Sequence, residues 1–275
     1  MTHPLLERLT HSDPDERRAA CEEAARDPSA VLWIEALGDA LGDPDKAVAR
    51  AASDALATIG RTAPEVGDVL RGALHADDPV QRWGAAFTFA RLEPPGEKLL
   101  PALVEALGFP DGDVRWAAAK LLVETGRFSA PVLPLLLGLV REGERPVVRR
   151  MATYCLRELA PDRPEAAIAL LEASRDRERG LHRAGLTALA ALLEPPAAVV
   201  ERLVEALGDD PDPASRRIAA AALGEIGAAR SDTLPESARA ALEATRRSAP
   251  DRELRSAAAR ALARLGAAES DRSDG

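Results

Sequence analysis

Cysteine is almost missing from this chain. Cys21 and Cys155 are the only two in 275 residues, too few for a disulfide framework or a four-cysteine metal site, so both are read as reduced, small core residues. Aromatic residues amount to 3%, and β-branched runs with a period of two are hard to find, which argues against a sheet and for an all-α chain. No apolar stretch approaches the roughly 20 residues needed to cross a bilayer. The N-terminus, MTHPLLERLTHSDPDERR, has no basic region followed by an apolar one, so the expectation is a cytoplasmic chain without membrane contact. Lysine is scarce as well: 33 of the 36 basic residues are Arg, a bias that GC-rich coding produces as readily as function does. An excess of positive charge is absent, and a net charge of −9 makes a nucleic-acid backbone a poor default partner. Nor is there a Gly-rich phosphate loop, a nucleophile elbow or a Cys-His arrangement. The four histidines, His3, His11, His75 and His182, are scattered with no recurring His-Glu pair. These absences point away from an enzyme, and no catalytic residue, metal or cofactor is expected.

What is present is a repeat. The stretch VRWAAAKLLVETG (114–126) has relatives in AVARAASDALATIG (47–60), VQRWGAAFTFARLE (80–93), VVRRMATYCLRELA (147–160), ASRRIAAAALGEIG (214–227) and ELRSAAARALARLG (253–266), with weaker copies at 16–28 and 181–193. Aligned on Arg115, the equivalent positions are Arg17, Ala49, Arg82, Arg115, Arg149, His182, Arg216 and Arg255, spaced 32, 33, 33, 34, 33, 34 and 39 residues apart. A turn rich in Asp, Pro and Gly precedes most copies, and a second apolar segment precedes the turn, as in PALVEALG (101–108) and ERLVEALG (201–208). Asp, Pro and Gly serve as N-cap, turn and helix stop, so each unit reads as helix A, tight turn, helix B. The B helices are expected at 14–26, 46–59, 79–92, 113–125, 146–159, 179–193, 213–226 and 251–265.

The unit resembles a HEAT repeat of the short bacterial kind, also called the phycobilisome-lyase HEAT-like repeat. DPDKAVARAASDALATIG and DGDVRWAAAKLLVETG carry the Asp-Pro turn, the Val-Arg pair and the paired Ala of that pattern. The resemblance implies an all-α, right-handed α-solenoid of about eight helix pairs over residues 1–266; the tail at 267–275, AAESDRSDG, lacks apolar periodicity and is expected to be disordered. The resemblance implies fold more than activity, because such scaffolds serve unrelated functions. The scattered histidines depart from the paired His-Glu ligands of metal-binding HEAT hydroxylases.

Positions in helix B follow from counting Val114 as 0 and Arg115 as +1. Positions 0, +3, +4, +7, +8 and +11, here Val114, Ala117, Ala118, Leu121, Leu122 and Thr125, form one stripe and are expected to be core. The Arg at +1, as in Arg82, Arg115, Arg149 and Arg216, is expected to pair with an Asp of an adjacent turn. Trp33 on helix A and Phe89 at +8 read as core.

Positions +2 and +6 share a different face, one helical turn apart. The eight units place Arg18 and Glu22, Arg50 and Asp54, Trp83 and Phe87, Trp116 and Lys120, Arg150 and Tyr154, Arg183 and Thr187, Arg217 and Ala221, and Ser256 and Arg260 there. Four of the chain's eight aromatics fall at these sixteen positions, all in three consecutive units. Because B helices of HEAT-like arrays line the concave surface, the resemblance turns this cluster into a groove. Its expected partner-binding residues are Trp83, Phe87, Trp116, Lys120, Arg150, Tyr154 and Arg183, since exposed aromatics beside Arg mark interface hot spots. The alternative for the same residues is gap-filling between Ala-rich helices. The leading functional reading is a monomeric, non-catalytic scaffold or adaptor that holds a protein or peptide segment. The competing one is a nucleic-acid-processing HEAT protein of the DNA alkylation repair type, or a bilin-lyase-like protein, with Asp54 and Glu124 as the remaining candidates for an acid.

Overall fold

In a computed structural model of the chain, residues 3–229 and 234–273 are described, the last five of these by backbone only. Sixteen α-helices and two short 3₁₀ turns occur among the described residues, with no strand. They divide into two compact units, residues 1–129 and 130–275.

The first unit holds four A–B pairs: α1 (Pro4–Leu9) with α2 (Pro14–Ala24), α3 (Ile34–Ala40) with α4 (Lys46–Ile59), α5 (Glu65–Ala73) with α6 (Pro79–Leu92), and α7 (Leu100–Ala106) with α8 (Gly112–Gly126). The second holds α9 (Val132–Glu142) with α10 (Pro146–Leu159), α11 (Pro164–Ala173) with α12 (Arg179–Leu189), α13 (Ala197–Asp209) with α14 (Pro213–Ala229), and α15 (Glu236–Ser248) with α16 (Arg252–Ser273). Each unit is thus a stack of helix pairs of the α-solenoid class, because one pair cannot bury its apolar faces alone.

The turn chemistry is local. Asp13, Asp45, Asp78 and Asp111 accept hydrogen bonds from backbone amides at the starts of α2, α4, α6 and α8, and Pro14, Pro79 and Pro146 occupy first-turn positions where no amide is needed. The Gly stop signals work differently from the usual left-handed cap. No described residue has positive φ, and the A helices of the first unit close instead with i→i+3 bonds such as His75 N–H to Gly72 O at 2.9 Å and Gly108 N–H to Glu105 O at 3.0 Å.

The register predicted for helix B holds. Position +4 is an alanine with 0% exposure in seven units, namely Ala20, Ala52, Ala85, Ala118, Ala152, Ala219 and Ala258. In the remaining unit, the sixth, it is Gly185, whose reason is contact: a Cβ there would lie 2.4 Å from the backbone N of Ser174. Position +8 is buried as Ala24, Leu56, Phe89, Leu122, Leu156, Leu189 and Leu223. Trp33 is buried as expected, although it ends a 3₁₀ turn (Ala30–Trp33) ahead of α3 and is not inside a helix A.

Two helix ends differ from expectation by four residues or more; smaller differences include α2, which stops at Ala24, and α14, which runs on to Ala229. Helix α12 stops at Leu189, short of 193, where the chain approaches Pro195 and Pro196 and Leu193 N–H bonds to Pro161 O at 2.9 Å. Helix α16 continues to Ser273, so 267–273 of the segment expected to be disordered is helical, in keeping with its Ala-Ala-Glu composition. Residues 274 and 275 lie outside the described residues.

Candidate partner-binding face

The Arg at +1 has a more local role than pairing between turns. Arg115 donates to Phe109 O at 2.6 Å and Pro110 O at 2.7 Å, Arg216 to Leu207 O at 2.9 Å, and Arg255 to Ala249 O at 2.6 Å. These carbonyls end helix A or its turn, where acceptors lack helical partners and the helix dipole favours a cation. The expected turn Asp is added in only some units. Arg17 grips Asp43 with two bonds of 2.7 and 2.9 Å, Arg149 reaches Asp176 at 2.7 Å, and His182 reaches Asp210 at 2.7 Å. Arg82 takes Glu105 of α7 instead, at 2.7 and 2.9 Å. Arg115 and Arg216 have no carboxylate within ion-pair distance among the described residues, so the expectation of an Asp partner is corrected for both.

Asp43 and Asp176 sit below the ordinary carboxylate range: burial pushes each up, but hydrogen bonds from the Arg and a backbone amide more than offset it. Asp212 is lowered further, first by the Arg183 guanidinium and then by Ser215, against burial. A carboxylate lowered on folding adds stability that is present above its unfolded pKa of about 3.9 and is lost as pH falls towards the folded value. Asp212→Asn should therefore lower Tm at pH 7, and its deficit relative to wild type should shrink once pH drops below about 4. A deficit that stays constant down to pH 2.5 would mean the charge of Asp212 contributes nothing.

None of the sixteen +2 and +6 side chains is buried, so these positions form a solvent-facing surface in each unit. In the first unit, Trp83 and Phe87 of α6 are half-buried with ring centroids 5.4 Å apart and planes inclined at 37°. Trp116 of α8 is 47% exposed, and Lys120 one turn on is exposed. The Arg91 guanidinium lies 5.9 Å from the Phe87 ring centroid and is held by Asp54 of α4 at 2.7 Å. Asp54 is therefore an ion-pair partner, which weakens it as a candidate acid; Glu124 is exposed.

Neighbouring B helices pack with a fixed sidedness. Thr88 at +7 of α6 bonds to Ser53 at +5 of α4 at 2.8 Å, and Gly224 at +9 of α14 faces Ala261 at +7 of α16. In these two pairs the +7 edge of one B helix meets the +5/+9 edge of the one before. Small residues allow close approach there, as between α4 and α6, but α6 and α8 do not come close along their backbones and are joined through α7. Trp83 and Phe87 flank this boundary, and the facing edge of α8, expected to be core, is half-open: Val114, Ala117 and Leu121 are half-buried, whereas Ala118, Leu122 and Thr125 are buried.

A contact invisible in the repeat pattern shapes the same face. Lys46 at the start of α4 pairs with Asp111, the N-cap of α8. Helices two places apart in a flat row would stand about 16–20 Å axis to axis, beyond the reach of one Lys and one Asp. The pair therefore reports that the N-terminal ends of α4 and α8 converge. With Lys46 82% exposed, the bond reports the convergence more than it holds it.

In the second unit Arg150 is exposed, and Tyr154 is half-buried with the Arg157 guanidinium 4.8 Å from its ring centroid. Arg183 is committed to Asp212 through bonds of 2.6 and 2.7 Å. Burial pushes the Cys21 thiol up to about 11 and that of Cys155 to about 12, so neither offers a thiolate at neutral pH. Among the described residues no cluster of three or more His, Cys, Asp or Glu could hold a metal ion, and no helix is long and apolar enough to cross a membrane.

A family model of HEAT repeats matches residues 2–90, 73–157, 101–190 and 164–263. The chain belongs to the HEAT-repeat family. Similar HEAT-like folds occur in solved structures at low identity. The Escherichia coli protein YibA is 16% identical with a TM-score of 0.56 over 95% of this chain and 91% of that one. Importin beta is 16% identical with a TM-score of 0.62 over 95% of this chain, and a Kap121p mutant is 15% identical with a TM-score of 0.60 over the same share. This chain spans only 40% of that importin beta chain and 33% of the Kap121p chain. At such identities the likeness concerns the fold alone. No curated protein matches the sequence.

Proposed function

We propose that this HEAT-repeat chain is a non-catalytic scaffold that holds an extended segment of a protein partner on the B-helix face of residues 1–129, with Trp83, Phe87 and Trp116 as anchors. The observation that supports the reading is the 47% exposure of Trp116 at +2 of α8, with the half-buried rings of Trp83 and Phe87 at +2 and +6 of α6, in a chain with only eight aromatics. Large exposed rings dominate recognition energetics because they bury much area at little conformational cost. Arg150 and Tyr154 keep the same register in the second unit, whereas Arg183 is bound to Asp212 and is left out of the reading. The remaining positions fit better with an adaptor than with base or tetrapyrrole chemistry, because Asp54, one of the two candidate acids, is already paired with Arg91.

The test is selection of random twelve-residue peptides displayed on phage, followed by fluorescence anisotropy of the peptides recovered. Loss of an aromatic anchor typically costs about 2 kcal/mol or more, so Trp116→Ala should weaken binding at least roughly thirtyfold. Its thermal midpoint should stay near that of wild type. Recovery of no peptide, or equal affinity for both proteins, would refute the reading.

A further inference from the structure

We infer that the segment held on this face is acidic around an apolar or aromatic anchor. The inference rests on the reading above and adds the chemistry of the partner. It follows from which charges on α4, α6 and α8 are already spoken for. Setting aside the +1 arginines, the cations on these helices are Lys46, Arg50, Arg91 and Lys120, and the carboxylates on them or at their N-caps are Asp45, Asp54, Asp78, Asp111, Asp113 and Glu124; Asp45 and Asp78 accept backbone amides at the starts of α4 and α6. Asp54 is taken by Arg91 and Asp111 by Lys46. Asp113 lies in the first turn of α8 and acts on Lys46; Glu124 lies one helical turn beyond Lys120, away from the level of Trp83 and Trp116.

That leaves Arg50 at +2 of α4 and Lys120 at +6 of α8, both exposed, on the two helices that border α6. Neither has a carboxylate within ion-pair distance among the described residues. Their setting sharpens the argument. Residues 1–129 contain 14 basic and 22 acidic side chains, a net charge of −8, so exposed cations without a carboxylate partner on the face that carries the rings stand against the unit's net charge. An acidic segment anchored on the rings is matched by these two cations, within a unit whose net charge repels it overall. A basic segment would find the carboxylates at ring level already neutralised.

The experiment reads the charge of the peptides recovered from the random phage library and re-measures them on Arg50→Glu/Lys120→Glu, two exposed changes that leave the core intact. The expected result is a net negative charge around an aromatic or aliphatic anchor, an affinity at least tenfold lower on the double variant, and recovery of basic peptides when the selection is repeated on that variant. Neutral or basic peptides from wild type, or affinity unchanged by the double reversal, would overturn the inference; if Trp116→Ala still abolished their binding, the scaffold reading would stand without it. Recovery of nothing would overturn both. A twelve-nucleotide single-stranded DNA that binds more tightly than any peptide, with affinity falling log-linearly with salt, would show that the partner class is wrong.

Discussion

Gly185→Ala is expected to destabilise the protein by about 2–3 kcal/mol, although alanine is what the other seven units carry at the same position. The added methyl would meet Ser174 N at 2.4 Å, Ala173 C at 2.7 Å and Ser174 Cα at 2.8 Å. These are backbone atoms at the end of α11, so α11 and α12 would have to separate, and no side chain can rotate aside to spare them. Gly138, in the middle of α9, provides the opposite case. Nothing lies within 4 Å of a Cβ built there, so Gly138→Ala should stabilise by about 0.5–1 kcal/mol through helix propensity alone. Urea unfolding of both variants against wild type measures the contrast. If Gly185→Ala were neutral or stabilising, the close approach of α11 to α12 would be wrong.

Leu122→Ala is expected to cost about 2–4 kcal/mol. Leu122 is 0% exposed at +8 of α8, and removing three side-chain carbons there leaves a cavity that the surrounding structure relaxes only partly to fill. Lys120→Ala, two residues earlier on the same helix but facing solvent, should change stability by no more than about 0.5 kcal/mol. Equal losses in the two variants, measured by the same unfolding midpoints, would show that the face assignment of α8 is reversed.

Those two residues also mark how far the sequence could be read. The facing of Leu122 and Lys120 follows from a 3.6-residue period and a repeat of about 33, both local properties, and the structure agrees at +4 and +8 along the B helices. Arg115 shows where such reading stops. Its side chain can reach either the end of its own helix A or a carboxylate of the next turn, and which it takes depends on the spacing between units, which varies with side-chain bulk. The same dependence hid the Lys46–Asp111 pair: residues 65 positions apart meet only because α4 and α8 converge, and no single-unit pattern encodes that. The open edge of α8 was hidden for a related reason. Val114, Ala117 and Leu121 have core spacing, but their burial depends on how closely α6 packs against α8, and the two helices do not come close. At Gly185 the sequence does offer a signal, a departure from seven alanines, whose cause becomes clear only when Ser174 is in place.

The loose boundary between α6 and α8 can also be viewed mechanically. A stack of helices resists bending in proportion to the contact its layers share, and here two adjacent layers are coupled by one helix, α7, while α4 and α6 are clamped along their length. Bending strain within residues 1–129 therefore concentrates at this joint, so it is the compliant coil of the unit's spring. Anything wedged beside Trp83 and Trp116 would stiffen it.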